Sequence, residues 1–227
     1  QVWERGGGSS AAAHGLLLLG CCCDEYSAET LAALPLGRRD ALLFELRERL
    51  FGAAIDAVAT CPQCAATVEA SFRCDDLRLP DSDAVASARE HASHGIRVQF
   101  RLPDSSDLLA LENCSDARAA RGLLLERCVL AAQQGDESRE LRNLPHELQA
   151  EIAQAMAQAD PQADLQLALR CPDCDHEWQP LFDIARFLWQ ELHAWALRML
   201  REVDILAQAY HWAEADILAL SPRRRQA

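Results

Sequence analysis

The chain has 227 residues, half of them apolar, enough to bury a core for one moderately large domain or two small ones and to exclude intrinsic disorder. Thirty-five acidic residues outweigh 22 basic ones for a formal charge of −13, and every base is arginine. That balance argues against a general nucleic-acid binder, which needs a basic face for phosphate. No stretch approaches the roughly 20 apolar residues of a membrane-spanning helix; ten cysteines, four of them in two matched pairs, fit a reducing compartment, so a cytoplasmic protein is expected.

Residues 1–10, with Gly6-Gly7-Gly8-Ser9-Ser10, read as a flexible start. A helix follows to about residue 23. Its end, Leu16 to Gly20 and then Cys21-Cys22-Cys23, faintly resembles a bacterial lipoprotein cleavage site. Glu4, Arg5 and His14 do not suit such a leader, and a helix of small residues is the preferred reading. Ser27 is placed to cap a short helix that stops at Leu34-Pro35. A stronger helix comes next, with Leu42, Leu43, Leu46, Leu50 and Phe51 at helical spacing and Arg39, Arg47 and Arg49 interleaved with acids.

Cys61-Pro62-Gln63-Cys64 is the first of two matching turns; the second is Cys171-Pro172-Asp173-Cys174. A large apolar residue and then phenylalanine follow at equal offsets, Val68 and Phe72 in one case, Trp178 and Phe182 in the other. Each Cys-Pro-x-Cys turn aims two thiolates at one point, half of a tetrahedral zinc site. Two halves far apart in sequence predict that the chain folds back to bind one Zn²⁺ through Cys61, Cys64, Cys171 and Cys174. Four thiolates leave no open position for water or substrate, so the metal would be structural. A dithiol redox centre and unpaired thiols are the competing readings. His176 is near enough to be a substitute ligand. Cys74, Cys114 and Cys128 read as spectators, the latter two as small buried hydrophobes.

Between the turns, Leu79-Pro80-Asp81-Ser82-Asp83 reads as a linker, and Ile96 to Leu102 alternates as a half-buried strand ending at Pro103. Asp104 to Asp107 can cap a short helix. Another runs from a Ser115 cap through Leu130 to a break at Gly135, and a third starts at Pro145 and carries Leu148, Ile152 and Met156 to Ala159. His91 and His94 lie in a polar stretch expected to be solvated. Asp164 to Arg170 alternates again and feeds the second turn. The last and longest helix runs from Asp183 to Tyr210, with Ile184, Leu188, Leu192, Trp195, Met199, Val203, Leu206 and Tyr210 in a stripe that Trp189 and Leu200 widen. Leu197 lies on the opposite face. His211-Trp212 ends this helix, and a short one precedes Arg223-Arg224-Arg225.

The expected fold is therefore α+β and mostly helical, a split zinc-ribbon-like pair of knuckles. Its parts are an N-terminal helical region (1–56), a first knuckle (57–78), a mostly helical insertion (79–163), a second knuckle (164–183) and a C-terminal helical hairpin (184–227). The last helix offers more apolar surface than a zinc knuckle covers, so either the insertion or a partner protein is expected to pack there. Trp189, Trp195, Leu197, Tyr210, Trp212, Arg223 and Arg224 are the candidate contacts.

Phe182-Asp183-Ile184, Phe187 to Leu192, Trp195, Tyr210-His211-Trp212, Ile217, Leu220 and the arginines, with both cysteine turns and Leu34 to Asp40, carry a resemblance across nearly the whole chain. They resemble the baseplate hub assembly chaperone family of contractile-tailed phages, in the zinc-knuckle form of bacterial contractile injection clusters. That family usually has glycine after each turn, where Ala65 and Asp175 stand here. The resemblance implies a non-enzymatic assembly factor or minor component of a contractile particle. Its implied partners are baseplate hub, tail tube or tape-measure proteins. The alternative is a zinc-ribbon protein acting in transcription or nucleic-acid handling. No Ser/His/Asp grouping, HExxH helix or phosphate-cradling loop supports an enzyme.

Overall fold

A computed structural model describes residues 2–79 and 88–225, a mixture of helix and sheet. Helices α1 (Val2–Arg5), α2 (Ala11–Gly20), α3 (Ala28–Ala32) and α4 (Leu36–Phe51) come first. The expected flexible start is instead folded. The Trp3 indole N–H donates to His193 Nδ1 at 2.8 Å, and His14 Nε2 donates to the Gly6 carbonyl at 2.8 Å while its ring stacks on Trp189 at 3.8 Å. Glycine is required at residue 6, because an added Cβ would sit 2.2 Å from the Trp189 ring. Helix α2 ends at Gly20 rather than at residue 23, and Cys21 and Cys22 form an exposed turn.

Helix α4 is buried on more than its leucine stripe. Arg39, Asp40 and Arg47 are inside along with Leu43 and Phe44, so two arginines expected on a polar face have partners in the interior. Arg47 forks onto Glu191 at 2.9 and 2.7 Å and donates to the Gly52 carbonyl at 2.6 Å. Strands β1 (Ala54–Thr60) and β2 (Thr67–Arg73) form an antiparallel hairpin, followed by α5 (Cys74–Leu77).

The insertion has more helix than strand among its described residues, but it carries a larger sheet than the one strand, Ile96 to Leu102, read from its sequence. It contains a sheet of β3 (Arg89–Ser93), β4 (Ile96–Phe100), β5 (Val129–Gln134) and β6 (Glu137–Ser138), in that order, with α6 (Ser105–Leu111), α7 (Ala117–Cys128) and α8 (His146–Ala159). Arg89–Ser93 lacks the β-branched signature of a strand, but His94 and Gly95 adopt φ of 55 and 72° and close a tight hairpin onto β4. His91 and His94 both meet Glu151, at 3.2 and 3.3 Å. Asp116, not Ser115, caps α7 through a 2.8 Å bond from the Ala119 N–H. The helix stops at Cys128, and Val129-Leu130 continue as strand because β5 pairs with β4. Of the expected linker, Pro80 to Asp83 lie outside the described residues.

Two principal cores result. One joins Leu19, Leu31, Leu43, Phe44, Ile55, Leu169, Ile184 and Leu188; the other joins Val98, Phe100, Leu125, Cys128, Leu148 and Ile152. Polar contacts dock them. The Gly37 N–H donates to Asp160 Oδ2 at 2.9 Å, the Leu36 N–H to the Pro103 carbonyl at 3.1 Å, and Gln162 Nε2 to the Leu77 carbonyl at 3.2 Å. Within the insertion, Asp107 is fully buried and receives a fork from Arg101 at 2.6 and 2.8 Å and a third bond from Arg127 at 2.7 Å.

The expected strand 164–170 is shorter and less regular. A 3₁₀ turn occupies Pro161–Asp164, and β7 (Leu169–Arg170) pairs with β8 (Glu177–Trp178). Bonds from the Leu167 N–H to the Pro180 carbonyl (3.0 Å) and from the Phe182 N–H to the Leu165 carbonyl (2.8 Å) extend that pairing. Helix α9 (Ile184–Tyr210) follows, capped by Asp183, and then α10 (Glu214–Leu218) and α11 (Pro222–Arg225). Ile217 of α10 is fully buried, and Arg225 reaches Glu202 on α9 at 3.4 Å.

Candidate metal centre

The two Cys-Pro-x-Cys segments fold into the same turn. The Cys61 N–H donates to the Ala66 carbonyl at 2.9 Å and the Ala65 N–H to the Cys61 carbonyl at 3.0 Å; the Cys171 N–H donates to the His176 carbonyl at 2.9 Å and the Asp175 N–H to the Cys171 carbonyl at 3.0 Å. Each turn needs a left-handed residue after its second cysteine, and Ala65 and Asp175 supply it at φ 62 and 57°. These are the positions where glycine would be unstrained.

The four sulfurs meet. All lie within 4.8 Å of one another, with Cys61 Sγ 3.7 Å from Cys174 Sγ and Cys64 Sγ 3.6 Å from Cys171 Sγ. A tetrahedral zinc with Zn–S bonds of about 2.3 Å has sulfur–sulfur edges of about 3.8 Å, so the set fits such an ion with little adjustment. Cys61 and Cys171 are buried with Val68 beneath them, Cys174 is half-buried, and Cys64 is exposed at the rim. His176 is outside the cluster, its ring stacked on Trp178 with centroids 6.1 Å apart.

Backbone N–H groups in both turns are directed at the sulfurs, while burial and the crowding of sulfur oppose ionisation. Burial raises the Cys61 thiol, but the backbone N–H groups of Cys64 and Gln63, together with the Cys64 and Cys174 side chains, bring it down to about 7. The His176 N–H lowers Cys174, yet burial and the three neighbouring sulfurs push it up to about 12. Four thiolates this close repel one another unless a cation sits among them, so the arrangement suits a metal ion better than free thiols.

The other candidate residues lie along the last helices. Trp189 is half-buried beneath His14 and Gly6, engaged within the chain. Trp195, Tyr210 and Trp212 are 44, 58 and 43 % exposed, and Tyr210 stacks on Trp212 at 4.8 Å. Leu197 is half-buried, and Arg223 and Arg224 are exposed. Sequence reasoning missed Ile205, 65 % exposed on α9, and Leu218, 46 % exposed on α10. Neither belongs to the apolar stripe, so periodicity held no signal for them.

A family model described as T4 bacteriophage base plate protein matches residues 16–189. No curated protein and no solved structure matches the chain. The matched span takes in both cysteine turns, the whole insertion and the start of α9, and it stops at Trp189, before the exposed distal helices. With well over half of its length inside the match, the chain belongs to the T4 bacteriophage base plate protein family.

Proposed function

We propose that this baseplate protein acts without chemical turnover, as an assembly factor or minor component for the baseplate hub or tail tube of a phage-like contractile particle, with one structural Zn²⁺ on Cys61, Cys64, Cys171 and Cys174. The observation that carries the reading is the position of the cysteine cluster. It ties the β1–β2 hairpin to the segment that launches α9, and so fixes the helix that presents Trp195, Leu200 and Tyr210 to solvent. A four-thiolate set leaves no position for substrate, which supports an organising metal over a catalytic one. The distal part of α9 with α10 offers aromatic and aliphatic side chains of the kind that anchor protein interfaces, with Arg223 and Arg224 beside them. Hub, tube or tape-measure proteins are the partners this reading expects.

Deletion in cells that produce the particle should leave baseplates incomplete, and the wild-type chain should restore them. Trp195→Ala combined with Leu200→Asp should restore them poorly while folding and binding metal normally. Complete baseplates in the deletion strain would overturn the proposal. Mass spectrometry of finished particles then separates a resident component from a departing chaperone.

A further inference from the structure

A groove of about 710 Å³ runs beside β1. Four consecutive β1 residues, Asp56 to Ala59, form one wall together with Ala70, the β2 partner of Ala57, and Pro180 to Asp183 form the other. Successive strand residues send their side chains to opposite faces. A hollow on a sheet face touches alternate residues, whereas one that touches consecutive residues follows a backbone edge.

The hydrogen bonding identifies what that edge offers. At one end of the hairpin the Cys61 N–H bonds the Ala66 carbonyl at 2.9 Å, and at the other the Cys74 N–H bonds the Ala53 carbonyl at 2.8 Å. Antiparallel pairs alternate between bonded and non-bonded. The register between those ends therefore makes Ile55–Phe72, Ala57–Ala70 and Ala59–Val68 the bonded pairs, and turns the N–H and C=O of Asp56 and Val58 outward. Among the described strands β1 pairs only with β2. On the opposite wall the bonds at Leu165–Phe182 and Leu167–Pro180 bracket Leu181, so its N–H and C=O also point away from their own hairpin. Val58 is 69 % and Leu181 62 % exposed, and Leu167, Leu169 and Phe187 help make the groove apolar.

Edge strands are ordinarily blunted by lysine, proline, a bulge or a cover. Strand β1 has no lysine and no proline, and its pairing with β2 is continuous. We propose that the groove receives an extended, apolar segment of another protein, about four or five residues long, laid as an added strand along Asp56 to Ala59. A helix would leave the outward N–H and C=O groups unused, because its own backbone is already bonded; an extended chain bonds them and fills the apolar floor with alternate side chains. Asp56 and Asp183 against the single Arg186 disfavour an acidic segment. This surface is separate from the distal α9 surface and does not depend on it.

The test uses the full chain with ¹⁵N-labelled amides and a capped hexapeptide alternating valine with threonine. Its controls are the same peptide N-methylated on alternate residues, and one with glutamate for threonine. Binding of the parent should move the amides of residues 56–59 and 181, and both controls should bind at least about tenfold more weakly. Val58→Pro removes one outward N–H at an edge position that tolerates proline. It should keep the melting temperature and metal content while losing about tenfold in affinity. Equal binding by the N-methylated peptide, shifts confined to distal α9, no shift at millimolar peptide, or unchanged affinity of Val58→Pro would each overturn the proposal. So would concentration-dependent shifts of the same amides without peptide, which would make a second copy the occupant.

Discussion

Bond for bond the turn at Cys61 repeats the turn at Cys171, and the register repeats beyond it. Ala59 faces Val68 as Leu169 faces Trp178, and Ile55 faces Phe72 where the Phe182 N–H bonds the Leu165 carbonyl. The supports differ. The first turn closes two seven-residue strands, the second two strands of two residues each. Pro180 is one physical reason: it stands where Ala70 stands in the first hairpin, accepts from the Leu167 N–H, and has no N–H to return. The comparison teaches that a turn can be specified within six residues while its mooring is not, and that a metal shared by the two turns would matter more to the weaker hairpin.

Metal removal should break the symmetry most. Chelation, or Cys171→Ser, should lower the melting temperature and speed amide exchange at residues 165–182 by roughly tenfold more than at 54–73, a difference of about 1.4 kcal/mol in local opening. Equal loosening of both hairpins would mean that the strands of the first contribute no independent hold. Val68→Ala and Trp178→Ala probe the same contrast by packing. Val68 is buried under the cluster, so its truncation should cost about 1 to 2 kcal/mol; Trp178 bridges the cluster and the main core, and its loss should cost about 3 kcal/mol. Denaturant midpoints of the metal-bound proteins would rank them.

Acid should separate the metal from the rest of the fold. Protons compete for the thiolates, so metal retention falls as pH drops from neutral. Asp107 responds elsewhere: burial raises its carboxyl, but bonds from Arg101, the Asp104 backbone and Arg127 bring it down to about 2. A depressed carboxyl contributes stability that is present above the ordinary range near 4 and lost only as pH falls toward 2. Burial pushes Asp40 up to about 6 despite Arg39. Its protonated form is favoured in the fold, so Asp40 gains stability as pH falls through 6 and loses it as pH rises. As pH falls from 7 to 5 neither carboxylate takes stability away, and Asp40 adds some. A melting temperature that drops in that window with metal bound, and does not drop without it, assigns the loss to the cysteine turns.

Residue by residue, what could be read ahead was what depends on neighbours in sequence. The cysteine spacing, the Asp104 cap, the stripe of α8 and the extent of α9 are local, and local chemistry decides them. Arg89–Ser93 is a strand only because Gly95 lets the chain turn back on Ile96, and Val129 leaves a helical register because β4 is free to pair. Arg47 looked solvated because its partner, Glu191, is distant in sequence, whereas Arg39 is held inside by its neighbour Asp40. The meeting of the two turns was inferable from chemistry alone, since half a tetrahedron requires another half. The groove along β1 was not, because an edge exists only after every other strand has found its place.

The smallest effect discriminates between the turns most finely. Ala65 and Asp175 both hold left-handed backbone, which costs an L-residue about 1 to 2 kcal/mol and glycine almost nothing. Ala65→Gly should therefore stabilise the metal-bound chain by up to about 1 kcal/mol, since glycine also adds entropy to the unfolded chain. Asp175→Gly should gain less. Aspartate visits this region more readily than alanine, and its carboxylate meets Arg170 at 2.9 Å in an exposed pair worth at most about 1 kcal/mol. Melting curves of the two variants should place Ala65→Gly above the parent and Asp175→Gly close to it. The reverse order would mean that the second turn carries the greater backbone strain, and that its dependence on the metal begins in the turn itself and not in the short strands beside it.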